Sequence, residues 1–160
     1  MNWEAFQEDA PELAALAEER FERTGLCLVG TITADGHPRI SPIEPFIVDG
    51  ELLLGMIWRS KKALDMERDP RITVHSTVSD RNNDEGDFKL YGRALNVSDP
   101  KLRTHYADTL EVKIDWRPPE PFHLMRVDIE RAGFVVFGSK PQALAWDPER
   151  GIRRLPMASP

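Results

Sequence analysis

Residues 37–74 read HPRISPIEPFIVDGELLLGMIWRSKKALDMERDPRITV, and the fold turns on how this stretch divides. The apolar runs PRISPIEPFIV and LLLGMIW flank Asp49-Gly50, a pair that supplies the positive φ of a tight hairpin turn. Asp35-Gly36 joins the first run in the same way to LCLVGTITA before it, so three antiparallel strands are predicted. Pro38, Pro42 and Pro45 each lack an N–H, which makes the middle strand irregular and leaves backbone groups open to a ligand. SKKALDMER then reads as a short helix, capped by Ser60 and stopped by Asp69-Pro70, with RITVHSTVS as the next strand.

Before this stretch, DAPELAALAEERFERTG places Leu13, Leu16, Ala17 and Phe21 on one helical stripe. Asp9 and Glu12 suggest a capping box, and Gly25 a left-handed stop. After it come the polar loop DRNNDEGD, the strand FKLYGRALNV, and a helix KLRTHYADTLE opened by Asp99-Pro100. WRPPEP reads as a stiff extended loop. FHLMRVDIE and GFVVFG read as two strands linked by Arg131-Ala132, and PQALAWDPERGIRRLP as a short strand, a turn and an extended piece. Six or seven strands and three short helices predict a mainly antiparallel sheet closing into a small barrel. One domain over 1–160 is expected, with an N-terminal helix in 1–25 and a tail at 139–160.

Composition excludes several classes. A formal charge of -6 lacks the basic face a general nucleic-acid binder needs. Seven of 27 acidic residues precede Thr24, so the remainder is near neutral. No apolar run reaches the ~20 residues of a membrane span and the start is not basic, so a cytoplasmic protein is expected. One cysteine, Cys27, precludes an internal disulfide, and His37, His75, His105 and His123 are too scattered for a zinc site. No nucleophile elbow, P-loop or dinucleotide fingerprint is present, and no side chain stands out as acid or base.

Ser60-Lys61-Lys62 opens a helix directly after a strand, where free N–H groups, a hydroxyl and two ammonium groups suit a dianionic phosphate. Arg39 on the neighbouring strand is expected to reach the same end. Such a helix start is also commonly just a solvated basic terminus. Trp58, Tyr91, Trp116 and Trp146 are candidates to stack on a planar ring.

The ordered set Arg39-Ile40-Ser41-Pro42, Ser60, Lys62, Met66 and Asp69-Pro70-Arg71-Ile72 resembles the pyridoxamine 5′-phosphate oxidase-like family, and the order of elements agrees from Leu26 to about Gly138. The resemblance implies a six-stranded antiparallel split β-barrel with a few short peripheral helices, acting as a homodimer that binds FMN. It places the cofactor phosphate on Arg39, Ser60, Lys61 and Lys62. The flavin ring would lie along Ile40, Ser41 and Pro42 and along Gly55, Met56, Ile57 and Trp58. Trp146 and Arg150 would contribute from the second subunit, with residues 143–150 ordered beside the cofactor groove. The oxidase proper has a further basic residue where this chain has Glu44, and its C-terminal substrate-binding sequence is not recognisable here, which argues against pyridoxamine phosphate as substrate. The expected activity is hydride transfer between FMN and a small organic substrate. A deazaflavin-dependent reductase and a non-catalytic flavin- or haem-binding protein stand as alternatives.

Overall fold

The structure, a computed structural model, describes residues 1–79, 81, 82 and 84–157. Part of the polar loop expected at 80–87 and the end of the tail lie outside the described residues. Two helices come first, α1 (Trp3–Asp9) and α2 (Pro11–Thr24), where one was expected. Pro11 disfavours helical geometry in the residue before it, and Ala10 accordingly leaves the helix at φ -135°, ψ 56°. Asp9 therefore ends α1 and caps nothing in α2; Gly25 takes the left-handed stop at φ 67°.

The strands are β1 (Cys27–Ile32), β2 (Pro38–Ile43), β3 (Pro45–Val48), β4 (Glu51–Ile57), β5 (Arg71–Ser76), β6 (Asp87–Asn96), β7 (Phe122–Val136), β8 (Gln142–Asp147) and β9 (Gly151–Arg154). Helix α3 (Lys61–Arg68) follows β4, and α4 (Pro100–Ile114) follows β6. All pairings are antiparallel, in the order β2-β1-β5-β6-β7-β4-β3, with β8 on β7 and β9 on β8. This is a split barrel whose sheet does not close: β2 and β3 lie at opposite ends of the main path.

Three strand expectations change. The single strand expected over 38–48 is two, divided at Glu44, so one stretch of chain serves both edges of the split. Pro45 lacks the N–H that would continue the β2 ladder and instead stands opposite Leu54. The two strands expected at 122–130 and 133–138 are one 15-residue strand, β7, with a bulge taken up where the register slips between Tyr91 and Gly92. A Cβ on Gly92 would collide with the Asp128 carbonyl, so glycine is required there. The tail forms the β8–β9 hairpin, giving nine strands among the described residues where six or seven were expected.

The alternation of each strand sends Cys27, Val29, Leu54, Met56, Val74, Leu90 and Val127 into one core. Trp3, Phe6, Leu13, Phe21 and Trp146 close one end of it. A second cluster, Val48, Leu53, Tyr106, Leu110, Phe122 and Leu124, fixes α4 to the outer face of β4 and β7. Among the described residues no helix is long and apolar enough to cross a membrane.

Candidate functional site

Because β3 stops pairing at Pro45–Leu54, Gly55, Met56 and Ile57 have a strand neighbour, β7, on one side only. The gap on their other side is a cavity of about 960 Å³, bounded by Pro42, Ile43 and Glu44 from the β2–β3 crossover. Trp58, Ile114, Trp116 and Phe122 supply apolar walls. A groove of this size and lining suits a planar heteroaromatic ligand.

Its basic end is built by the β4–α3 junction. The Ser60 N–H donates to Ile57 O at 3.0 Å, and the Ser60 carbonyl accepts the first helical bond from Leu64 at 3.1 Å. Ser60 holds the N-cap position, yet its hydroxyl makes no capping bond: Oγ is buried without a hydrogen-bond partner. A buried orphan hydroxyl is unfavourable unless something arrives to bond it. Lys62 lines the same cavity and donates from Nζ to Pro42 O at 2.6 Å. Burial lowers its pKa, and the nearby Glu44 carboxylate works against that shift. Lys61 is exposed and lies outside the cavity wall.

The floor is Tyr106, whose ring is held between Phe46 and Phe122 and whose hydroxyl lies over Gly55. Burial, then the Glu44 charge, raise its pKa, so it remains a phenol. Behind Trp58 the ring of His123 is stacked at 4.5 Å and 12°; this buried imidazole has Nδ1 3.2 Å from Glu67 and Nε2 without a partner.

The expected site residues therefore divide. Pro42, Gly55, Met56, Ile57, Trp58, Ser60 and Lys62 are brought together around the cavity. Arg39 is not with them: its Nε donates to Asp65 Oδ2 at 2.7 Å, and with Ile40 it borders a separate cavity of about 290 Å³. Asp65 is buried and also accepts from Thr31 at 3.0 Å and Arg68 at 3.2 Å. Burial raises the Asp65 pKa, but those hydrogen bonds outweigh it and hold the carboxyl below its usual range. Ser41 borders neither cavity.

Trp146 is corrected to a core residue. It is 1% exposed, meets Phe6 edge-on at 4.9 Å, and donates from Nε1 to Asp9 at 2.8 Å, which leaves no ring face for a ligand. Trp146 in β8 thus packs on the N-terminal helices, none of residues 143–150 lines the cavity, and Arg150 sits in the exposed β8–β9 turn. Among the stacking candidates, Trp58 and Trp116 line the cavity; Tyr91 lies beneath the Arg131 guanidinium on the smaller one. Tyr106 and Glu44 were missed as wall residues. Gly55 was the available signal for the tyrosine, since a glycine inside an apolar strand marks a close approach.

The model of the pyridoxamine 5′-phosphate oxidase family matches residues 13–136. The chain belongs to that family. Solved structures share the family's fold at low identity. A pyridoxamine 5′-phosphate oxidase-related, FMN-binding protein from Nostoc punctiforme is 15% identical with a TM-score of 0.67, covering 94% of this chain and 98% of its own. A NimC/NimA family protein from Clostridium acetobutylicum is 14% identical with a TM-score of 0.68, covering 88% and 97%. A haem-binding protein from Mycobacterium smegmatis is 17% identical with a TM-score of 0.58; 81% of this chain matches 57% of that longer protein. No curated protein sequence matches the chain.

Proposed function

We propose that this member of the pyridoxamine 5′-phosphate oxidase family is an FMN-dependent oxidoreductase acting on a small organic substrate. The observation that carries the reading is Ser60 Oγ, buried and unpartnered at the start of α3 beside Lys62. A phosphate there would accept from that hydroxyl, from the first N–H groups of α3 and from the ammonium, a charge-assisted set. The ring would occupy the slot along Gly55–Ile57, where β4 has lost its outer strand, with Trp58 and Pro42 against it. FMN supplies the hydride chemistry when bound, while the protein binds, orients and dries the site.

Two further readings meet the same residues. A deazaflavin coenzyme also carries a phosphate and would use Ser60 and Lys62 alike. For haem, the cavity wall offers Met56 and Tyr106 but no histidine, and a phenol whose pKa is raised is poorly disposed to bind iron as tyrosinate. The donor set therefore favours a flavin.

The groove is open along one side, where Ile57, Trp58 and Trp116 expose apolar surface, and Ile40 is exposed elsewhere on β2. We propose that a second copy covers these residues in a twofold homodimer burying over ~2,000 Å². The deciding experiment is the absorption spectrum of the purified protein, followed by titration with FMN and riboflavin. A flavin spectrum and preference for FMN are expected. A Soret band, or equal binding of the two flavins, would overturn the reading.

A further inference from the structure

The cavity does not end at Glu44. Leu26, Glu44 and Ile114 also line a second cavity of about 700 Å³, so the two cavities adjoin, with Glu44 on the lining of both. The far compartment has apolar walls from Phe21, Phe46 and Ile47 and carries Glu18 and Glu22 as well. Lys113 is the one cation on this lining; Glu18 already accepts from Trp3 Nε1 at 3.0 Å, and Glu44 also lies near the Lys62 ammonium of the first cavity. The Lys113 ammonium stands 6.0 Å over the Phe46 ring, so the chain's own side chain displays the kind of group this wall accepts. An ammonium and an orphan hydroxyl line the first cavity, carboxylates outnumber the one cation on the lining of the second, and Glu44 belongs to both. An anionic ligand would meet like charges here. A neutral one would leave the field unused.

We propose that this compartment is a subsite for an organic cation, a protonated amine or amidinium carried on an apolar, ring-sized body, with Glu44 as its charge partner. Its role as substrate site rests on the cofactor reading above; its binding does not. Phe21, Phe46 and Ile47 exclude water from the body, and the Glu44 carboxylate fixes the charged head at the mouth of the cofactor slot.

Benzamidinium, neutral benzamide and benzoate are the probes, titrated by calorimetry into the full chain with and without FMN. Benzamidinium is expected to bind about tenfold more tightly than benzamide, with benzoate weakest. Glu44→Gln should weaken benzamidinium about fivefold and leave benzamide unchanged. Glu149→Gln, the same charge change in the β8–β9 turn, should alter neither. Equal binding of the charged and neutral probes, or equal effects of the two substitutions, would overturn the subsite. So would loss of benzamidinium binding as the protein self-associates, because a second copy would then fill the compartment. If benzamidinium binds through Glu44 while FMN does not bind, the subsite stands and the cofactor reading fails. FMN binding with no cation binding is the reverse.

Discussion

The Tyr106 hydroxyl occupies the space that a side chain at Gly55 would need: a Cβ there would stand 2.7 Å from the phenol Cζ and closer still to its oxygen. The tyrosine cannot yield, since Phe46 and Phe122 hold its ring from two sides. Gly55→Ala should therefore push α4 away from β4 and destabilise the protein by about 1–3 kcal/mol. Urea denaturation measures the cost. Near-wild-type stability would mean that the helix moves freely.

Each charge-assisted hydrogen bond to a phosphate contributes ~1.5–3 kcal/mol, so Lys62→Ala should weaken FMN binding about ten- to a hundredfold. Lys61→Ala should cost far less, because that ammonium stays in solvent outside the cavity. Riboflavin affinity should be the same in wild type and Lys62→Ala. A parallel loss of riboflavin binding would assign the lysine to the ring or to the fold.

Asp65 makes stability depend on acid. Its folded pKa is depressed, so its contribution is complete above the unfolded value near ~3.9 and is lost as pH falls through the folded one. Asp65→Asn should cost about 2 kcal/mol at neutral pH, with the gap from wild type closing below about pH 4. Asp69, held at about 2 by its hydrogen bonds with Arg71, titrates in both proteins and cancels. Urea midpoints from pH 7 to 3 test this; a gap that stays constant would exclude Asp65 as the titrating group.

A tail lying beside the cofactor groove, as the sequence suggests, would make truncation after Pro141 spare the fold and weaken only cofactor binding. The core position of Trp146 reverses that expectation. Removing β8 strips the outer ladder from the end of β7 and uncovers Phe6, so cooperative unfolding should be lost. Trp146→Ala alone should cost about 3–5 kcal/mol. A cooperative thermal transition in the truncated chain would contradict this.

Dimerisation has a probe clear of the proposed cofactor slot. Ile40 is 73% exposed on β2 and absent from the larger cavity. Ile40→Asp should convert a dimer sedimenting at twice 18.2 kDa into a single chain that still unfolds cooperatively, at a lower temperature because the association is lost. A wild-type protein that sediments as one chain at micromolar concentration would remove the dimer proposal.

Local signals carried most of the fold. Asp49-Gly50, Asp99-Pro100 and Gly25 act within a few residues, and the structure places a turn, a helix start and a helix stop there. The failures were long-range. The division at Glu44 depends on which edge each half pairs with, and the run PRISPIEPFIV looks continuous until Leu28 and Leu54 are known to be the partners of Pro42 and Pro45. Arg39 was expected beside the lysines because its strand was read as the hairpin neighbour of the one leading into α3, but β2 pairs with β1 and the charge of Asp65, 26 positions away, takes its guanidinium. Trp146 looked available because nothing nearby in sequence reveals Phe6 or Asp9 as its neighbours. The slot itself was legible only as missing ladder partners, through the prolines.

The contact between α1 and β8 also sets a timetable. Asp9 and Trp146 are bonded across 137 positions, and Phe6 packs on the same indole. During synthesis Asp9 must wait for a partner 137 positions later, on the order of ten seconds at ribosomal speeds of ~5–20 residues per second. Through that interval Trp3, Phe6 and the apolar stripe of α2 have only part of their final cover. The nascent chain therefore presents a sticky amphipathic segment until β8 emerges and conceals it.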